Sequence, residues 1–265
     1  MTDAKNDILS KEISGALSRA ELAFHLAWSD TRARYRRSIL GPFWLVFGTL
    51  LGVGGLGFVW GALLDVDRSV FIPSLTISII TWYLLSGSIT EAASVFFNNR
   101  SLFLNMEVSS LLISLLLLFR QLINFAHNIV VVVIVYVVYP EHLGWAALLA
   151  PIGILLVSFN LLWIIQLTGY IGARFRDLAP LIAAIMQPLF FITPVLFRPE
   201  QLGARAYVTA INPLTYMLEI VRDPLMGKIP SITTWAVMIG LTIIGWGATL
   251  VLTKSKRRRL PYWVN

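Results

Sequence analysis

Apolar residues come in long runs along this chain, and most polar residues are gathered between them. Six runs reach or approach the twenty residues that a helix needs to cross about 30 Å of hydrocarbon. They cover residues 42–64, 70–96, 111–139, 145–170, 181–197 and 232–253. The pattern predicts an all-α polytopic membrane protein with six transmembrane helices, organised as one domain over 1–265 with its spans in 42–253. The third run is long enough to tilt or to extend past the bilayer. The fifth is the odd one, because Pro180, Pro188, Pro194 and Pro199 run through it and its flanks. A proline inside a helix removes a donor and clashes with the preceding turn, at roughly 3 kcal/mol.

Ahead of the first run the periodicity changes. Ile13, Leu17, Ala20, Phe24 and Trp28 recur at helical spacing, while Lys11, Glu12, Arg19 and Glu21 fall elsewhere. Segment 1–41 therefore predicts an amphipathic helix lying in a membrane interface. The alternative is a solvated, partly disordered tail. Its first residues are polar and of mixed charge, unlike a cleavable secretory signal.

Composition agrees with the runs. Hydrophobic residues make up 57% and charged residues 13%, with mean hydropathy +0.76; a soluble domain carries about 25% charged residues. Nine Trp and eight Tyr suit two membrane interfaces. There are no cysteines, which excludes disulfides and thiolate chemistry. No phosphate-cradling glycine loop, paired-histidine metal motif or serine elbow is present. His25, His127 and His142 stand far apart, and no carboxylate pair lies within a run. No metal and no cofactor are expected in this chain, and it reads as a non-enzyme.

Charge placement gives direction. Six spans put both termini on one side, and 15 of the 21 Lys and Arg fall on that side. The positive-inside rule makes it the cytoplasm. The basic tail, 254–265, begins KSKRRR directly after a span, which suits anionic lipid better than nucleic acid. A transporter of this composition needs an energy source. Ion coupling leaves acids deep in spans, and Glu91, near the inner end of the second run, is the one candidate. A partner ATPase docking on the cytoplasmic face is the better expectation.

Several residues stand out within this frame. Arg120, Asn124, His127 and Asn128 share one face of the third run. Polar groups in lipid are expensive, so the stripe should face protein or a channel. Glu91 is a natural partner for Arg120; the stripe serves either interhelical hydrogen bonding or an anionic carrier phosphate. Phe43, Trp44, Phe47, Trp82, Tyr83, Phe190, Phe191 and Phe197 cluster on three runs. Rings of this kind stack on sugar faces, or else form belts and core. Gly48-x-x-x-Gly52 and Gly57-x-x-x-Gly61 offer close-packing faces within or between subunits. Loop 98–110 carries Leu102, Phe103 and Met106 as a small apolar face, beside Asn98, Arg100 and Glu107. Arg174, Arg176 and Asp177 end the fourth span; anchoring in headgroups explains the arginines, whereas Asp177 suggests a protein contact.

Three stretches resemble one family. RARYRRSILGPFWLVFGTLL (32–51), GARFRDLAPLIAAIMQPLFFITPVLF (172–197) and INPLTYMLEIVRDPLMG (211–227) look like signatures of the permease subunits of ABC polysaccharide exporters. That family exports O-antigen, capsule and teichoic acid. The resemblance implies a homodimer in a bacterial inner membrane, with a separate ATPase subunit, itself holding ATP and Mg, on each copy. It implies a channel at the dimer interface that passes a lipid-linked polysaccharide outward. It makes loop 98–110 the ATPase-coupling element. It also implies short re-entrant periplasmic gate helices between spans five and six, which places Pro194, Asn212, Pro213, Tyr216 and Arg222 at a gate. A kinked fifth span followed by an ordinary loop is the simpler alternative. Other functional readings are an exporter of a drug or small lipid, an intramembrane glycan-lipid enzyme, and a non-transporting anchor.

Overall fold

The computed structural model describes residues 10, 12–36, 38–39, 41, 43–63, 67–106, 108–142 and 144–264. Glu107, one of the expected coupling residues, lies outside them. The regular structure described is helical throughout. Residues 12–17 are helical, and after them come α1 (Ala20–Arg34), α2 (Phe43–Leu63), α3 (Arg68–Ala92), α4 (Val95–Asn98), α5 (Arg100–Asn105), α6 (Ser110–Val138), α7 (Ala150–Arg174), α8 (Leu178–Ile192), α9 (Tyr207–Ile211), α10 (Pro213–Leu225), α11 (Ile232–Lys256) and α12 (Leu260–Val264).

Among the described residues five helices are long and apolar enough to cross a membrane: Phe43–Leu63, Arg68–Ala92, Ser110–Val138, Trp145–Arg174 and Ile232–Val264. The fifth expected span differs from them. It forms α8, 15 residues that end at Ile192. At 1.5 Å per residue that is about 22 Å, short of the hydrocarbon thickness. Pro188 is accommodated inside the helix; the chain turns extended at Thr193, just before Pro194. A 3-10 segment, Pro199–Arg205, and then α9 and α10 follow. Pro213 sits in the first turn of α10, where its missing N–H costs nothing. Although Pro224 would be a natural place for a turn, α10 continues to Leu225, and the chain turns at Gly227, whose φ of 74° suits a residue without Cβ.

The core is built around α3. Leu75, Ile77, Ile79, Trp82, Leu84 and Leu85 are buried on it, against α6, α7, α8 and α10. By contrast α2 and α11 turn most of their apolar surface outward. Lipid is as apolar as leucine, so such surface gains little by packing; small residues and hydrogen bonds join the helices instead. Thr49 Oγ1 donates to Asn128 Oδ1 at 2.6 Å and links α2 to α6. Asn160 Nδ2 donates to Thr242 Oγ1 at 2.8 Å and links α7 to α11. Ser114 Oγ donates to Gln166 Oε1 at 2.5 Å and links α6 to α7. At Gly172 the end of α7 approaches so closely that any Cβ would overlap the Ala93 carbonyl.

The N-terminal helix packs by its small residues. Ala23, Ala27 and Thr31 are buried as α1 lies along α6. Phe24 and Trp28, with Ile13 and Leu17 before them, stay exposed. The large apolar face predicted from the periodicity thus stays largely exposed, with Phe24 meeting Phe119 of α6 edge-on at 5.7 Å. The basic tail is a folded element. Beyond α11, Arg257–Arg259 form a 3-10 turn, and α12 seats Leu260 and Val264 in the core.

Candidate functional site

The residues singled out in the sequence gather at three levels along the bundle. The first lies where α5, the end of α7 and the C-terminal turn meet. Arg176 stacks over the Phe97 ring at 5.0 Å, and Arg100 covers the same ring at 5.8 Å. Arg174 lies 5.8 Å from the Trp263 ring. Arginines from segments more than seventy residues apart therefore share one aromatic patch, with Asn98, Phe175 and Asp177 exposed beside them. The apolar face of α5 divides: Leu102 and Phe103 pack inward on the core, and Phe103 meets Phe96 edge-on at 5.7 Å. Met106 is 45% exposed. The outward surface thus comprises Met106, Phe97, Phe175 and the cations, while Leu102 and Phe103 seat the helix. Phe97, Phe175 and Trp263 escaped the sequence reading because a single aromatic among so many carries no signal until a cation is seen above it.

The second level lies within the bundle. Arg120 donates to Glu91 Oε2 at 2.7 Å, so the pair expected from the sequence forms. Gln121 Nε2 donates to the other oxygen, Oε1, at 2.9 Å, and Asp30 of α1 stands 3.9 Å from Arg120. One cation is thus held by acids from two helices. Two more residues of the polar stripe, His127 and Asn128, bond inside the fold. Asn128 binds Thr49 and the Asn124 carbonyl, and His127 Nδ1 donates to the Ile123 carbonyl at 2.7 Å. One helical turn along α6 a groove of about 430 Å³ opens, lined by Trp44, Gly48, Thr49, Tyr83, Gln121, Asn124 and Asn128 among others. It joins the rings of Trp44, Tyr83 and Phe125 to the amide or hydroxyl side chains of Thr49, Gln121, Asn124 and Asn128, on α2, α3 and α6. Phe47 packs edge-on against Trp44 at 5.9 Å, and both, with Phe43, are exposed. Trp82 has a different place: it is buried and meets Phe190 of α8 at 5.6 Å. Phe190 in turn packs against the exposed Phe191 at 5.3 Å.

The third level is the break after α8. Arg222, only 5% exposed, donates to the Pro194 carbonyl at 2.7 Å. Asn212 Nδ2 donates to Thr193 Oγ1 at 2.8 Å, and its Oδ1 accepts from Leu214 N, capping α10. Tyr216 hydroxyl donates to the Ala210 carbonyl at 2.7 Å. The Pro194, Asn212, Pro213, Tyr216 and Arg222 of the sequence reading are therefore neighbours in one arrangement that holds the interrupted backbone. Irregular backbone survives in a membrane protein where other groups satisfy its carbonyls, and Arg222 does that here.

Among the described residues no cluster of three or more His, Asp or Glu side chains could hold a metal ion. The comparisons with known proteins agree with a membrane transporter. Two curated relatives are both named O-antigen export system permease protein RfbA. That of Myxococcus xanthus is 24% identical over 204 residues, covering 74% of this chain and 77% of the relative. That of Klebsiella pneumoniae is 25% identical over 206 residues, with the same coverage. The ABC-2 type transporter family matches residues 21–226, a stretch that contains Phe97, Arg100, Arg174 and Arg176 of the aromatic patch, the Glu91–Arg120 pair, the groove and the broken segment. By that match the chain belongs to the ABC-2 type transporter family, whose members are transport subunits of the membrane and not catalytic enzymes.

Proposed function

We propose that this chain is the permease subunit of an ATP-driven exporter of a lipid-linked polysaccharide, of the O-antigen or capsule kind. It works as a homodimer in a bacterial inner membrane, with both termini in the cytoplasm. Each copy carries a separate ATPase subunit, which holds the ATP and Mg. Family membership implies the ATPase and the membrane setting. The names of the two relatives point to an O-antigen-like cargo. The observation that carries the substrate class is the groove of Trp44 and Tyr83 with Gln121, Asn124 and Asn128. Sugars present apolar faces and hydroxyl edges together, and this lining sets rings and amides side by side. Gln121 and Asn128 are also bonded within the fold, to Glu91 and to Thr49 and the Asn124 carbonyl, which holds their side chains at the groove wall.

In this reading α8 with the segment behind it serves as the fifth span. The helices α9 and α10 dip back from the outer face as a gate, pinned by Arg222 and Asn212. The exposed Phe24 and Trp28 of α1 rest in the cytoplasmic leaflet. The patch around Phe97, Arg100, Met106, Arg174, Arg176 and Asp177 docks the ATPase, and Phe43, Trp44, Phe47, Tyr83 and Phe191 face the glycan path. Deleting the gene should abolish surface glycan while lipid-linked glycan accumulates in the inner leaflet. The wild-type chain should restore export, and Tyr83→Ala should restore it poorly at equal membrane level. Unchanged surface glycan in the deletion strain would sink the proposal.

A further inference from the structure

Glu12, which its spacing puts off the apolar face of the N-terminal helix, and Arg257, expected in a lipid-binding tail, form an ion pair inside the protein. Glu12 is 6% exposed. One of its oxygens accepts from Ser110 Oγ at 2.8 Å and from Leu111 N at 3.3 Å, at the first turn of α6. The other accepts from Arg257 Nε. The second arm of Arg257 donates to the Val108 carbonyl at 2.8 Å, and its guanidinium covers the Phe103 ring at 5.4 Å. Ser110 Oγ also accepts from Gln166 Nε2 at 2.8 Å and lies 2.9 Å from the Tyr170 hydroxyl, both on α7. The N-terminal stretch, the α5–α6 connection, α7 and the end of α11 therefore converge on two side chains.

We infer that the Glu12–Arg257 pair is a positioning joint. It fastens the ATPase-facing helix α5 to the N-terminal segment and to the end of α11, so that a displacement of α5 is transmitted to both. This inference rests on the proposed ATPase docking at α5. Its basis is the division of labour on Arg257. One guanidinium holds the connection (Val108 and Phe103) and the N-terminal segment (Glu12) at once, and its own backbone continues directly from the last long helix. A buried ion pair is weak evidence for stability, and in several proteins such a pair or polar group instead fixes one arrangement among several. Here the arrangement fixed is that of the element set to receive the mechanical stroke. No lipid is needed to explain Arg257, which faces inward, whereas Arg258 and Arg259 beside it are exposed.

The test uses the full chain with its ATPase in proteoliposomes loaded with lipid-linked glycan, and reads glycan exported per ATP hydrolysed. Arg257→Gln and Glu12→Gln should each lower that ratio by about tenfold, within the usual range of coupling between sites. ATPase co-purification should stay at the wild-type level. The double variant E12Q/R257Q restores a neutral amide pair and should recover most of the ratio. If export and hydrolysis fall together, in proportion to the complex recovered, the pair is structural only and the inference is wrong; an unchanged ratio overturns it equally. If Arg257→Gln does not reach the membrane, Arg257→Lys carries the test. It keeps the charge but cannot fill both arms, and it should lower the ratio with normal complex yield; a wild-type ratio in that variant refutes the joint. A wild-type complex that fails to assemble with any ATPase would instead refute the proposed function.

Discussion

Arg222 in α10 donates to the carbonyl of Pro194, 28 residues upstream, from a position almost fully removed from solvent. A proline-rich segment that stops being helical at Thr193 leaves carbonyls without helical partners, and a charged donor is spent on one of them. Replacing Arg222 by Met should leave that oxygen unpaired, at about 1–3 kcal/mol. The purified protein should then unfold at a lower temperature, with Arg222→Lys in between. Thermal unfolding in detergent checks this; a Met variant as stable as wild type would mean the pin contributes nothing.

A second prediction concerns Arg120, held by Glu91 at 2.7 Å and approached by Asp30 at 3.9 Å. Arg120→Glu places three carboxylates together and should impair export strongly. Adding Glu91→Arg restores one opposite pair but leaves Asp30 facing a new acid, so rescue should be partial. Adding Asp30→Ala as well should raise it further. Export assays in the three backgrounds, at matched membrane levels, decide the point. A double variant no better than the single would argue that Arg120 acts apart from Glu91.

The two faces of α5 predict two different defects. Met106→Ala removes an exposed side chain and should weaken ATPase co-purification while leaving the thermal stability of the chain within about 0.5 kcal/mol of wild type. Phe103→Ala removes a ring packed on Phe96 and under Arg257. It should cost about 3–5 kcal/mol if the site does not collapse, and it should lower chain stability and co-purification together. Equal behaviour of the two variants would mean that the helix is not oriented as described.

Glycine positions give a contrast that needs no ligand. A Cβ at Gly172 would overlap the Ala93 backbone, whereas nothing lies within 4 Å of one at Gly48. Gly172→Ala should therefore destabilise by about 1–3 kcal/mol through overpacking. Gly48→Ala should be neutral or stabilising by up to about 1 kcal/mol, since alanine favours helix. Membrane yield and unfolding temperature of the two variants measure the difference.

Much of this architecture was legible because hydrophobic length and charge placement act over whole segments. Five of the six apolar runs form helices long enough to cross a membrane, and Glu91 and Arg120 could be paired because charges in apolar runs must find partners. The break in the fifth run was legible through proline chemistry, whereas the grouping of Pro194 with Asn212, Pro213, Tyr216 and Arg222 was implied only by the family resemblance. Other features were not. Neither Glu12 nor Arg257 lies in an apolar run, so nothing local distinguishes them from solvated charges; only the tertiary return of the chain buries them together. Trp82 and Tyr83 are adjacent in sequence and equally aromatic, yet one is core and the other lines a groove. Helical rotation alone decides that, and the run carries no polar stripe strong enough to reveal it. The inward turn of Leu102 and Phe103 was hidden for a related reason: an apolar face suits a partner protein and the chain's own core equally well.

The most direct test of the whole account is reconstitution. Vesicles containing this chain and its ATPase, supplied with lipid-linked polysaccharide on the ATPase side, should deliver glycan to the opposite side when ATP and Mg are added. They should deliver none with the chain alone or without ATP. Equal delivery by the chain alone would contradict the claim that its driving force comes from a bound ATPase.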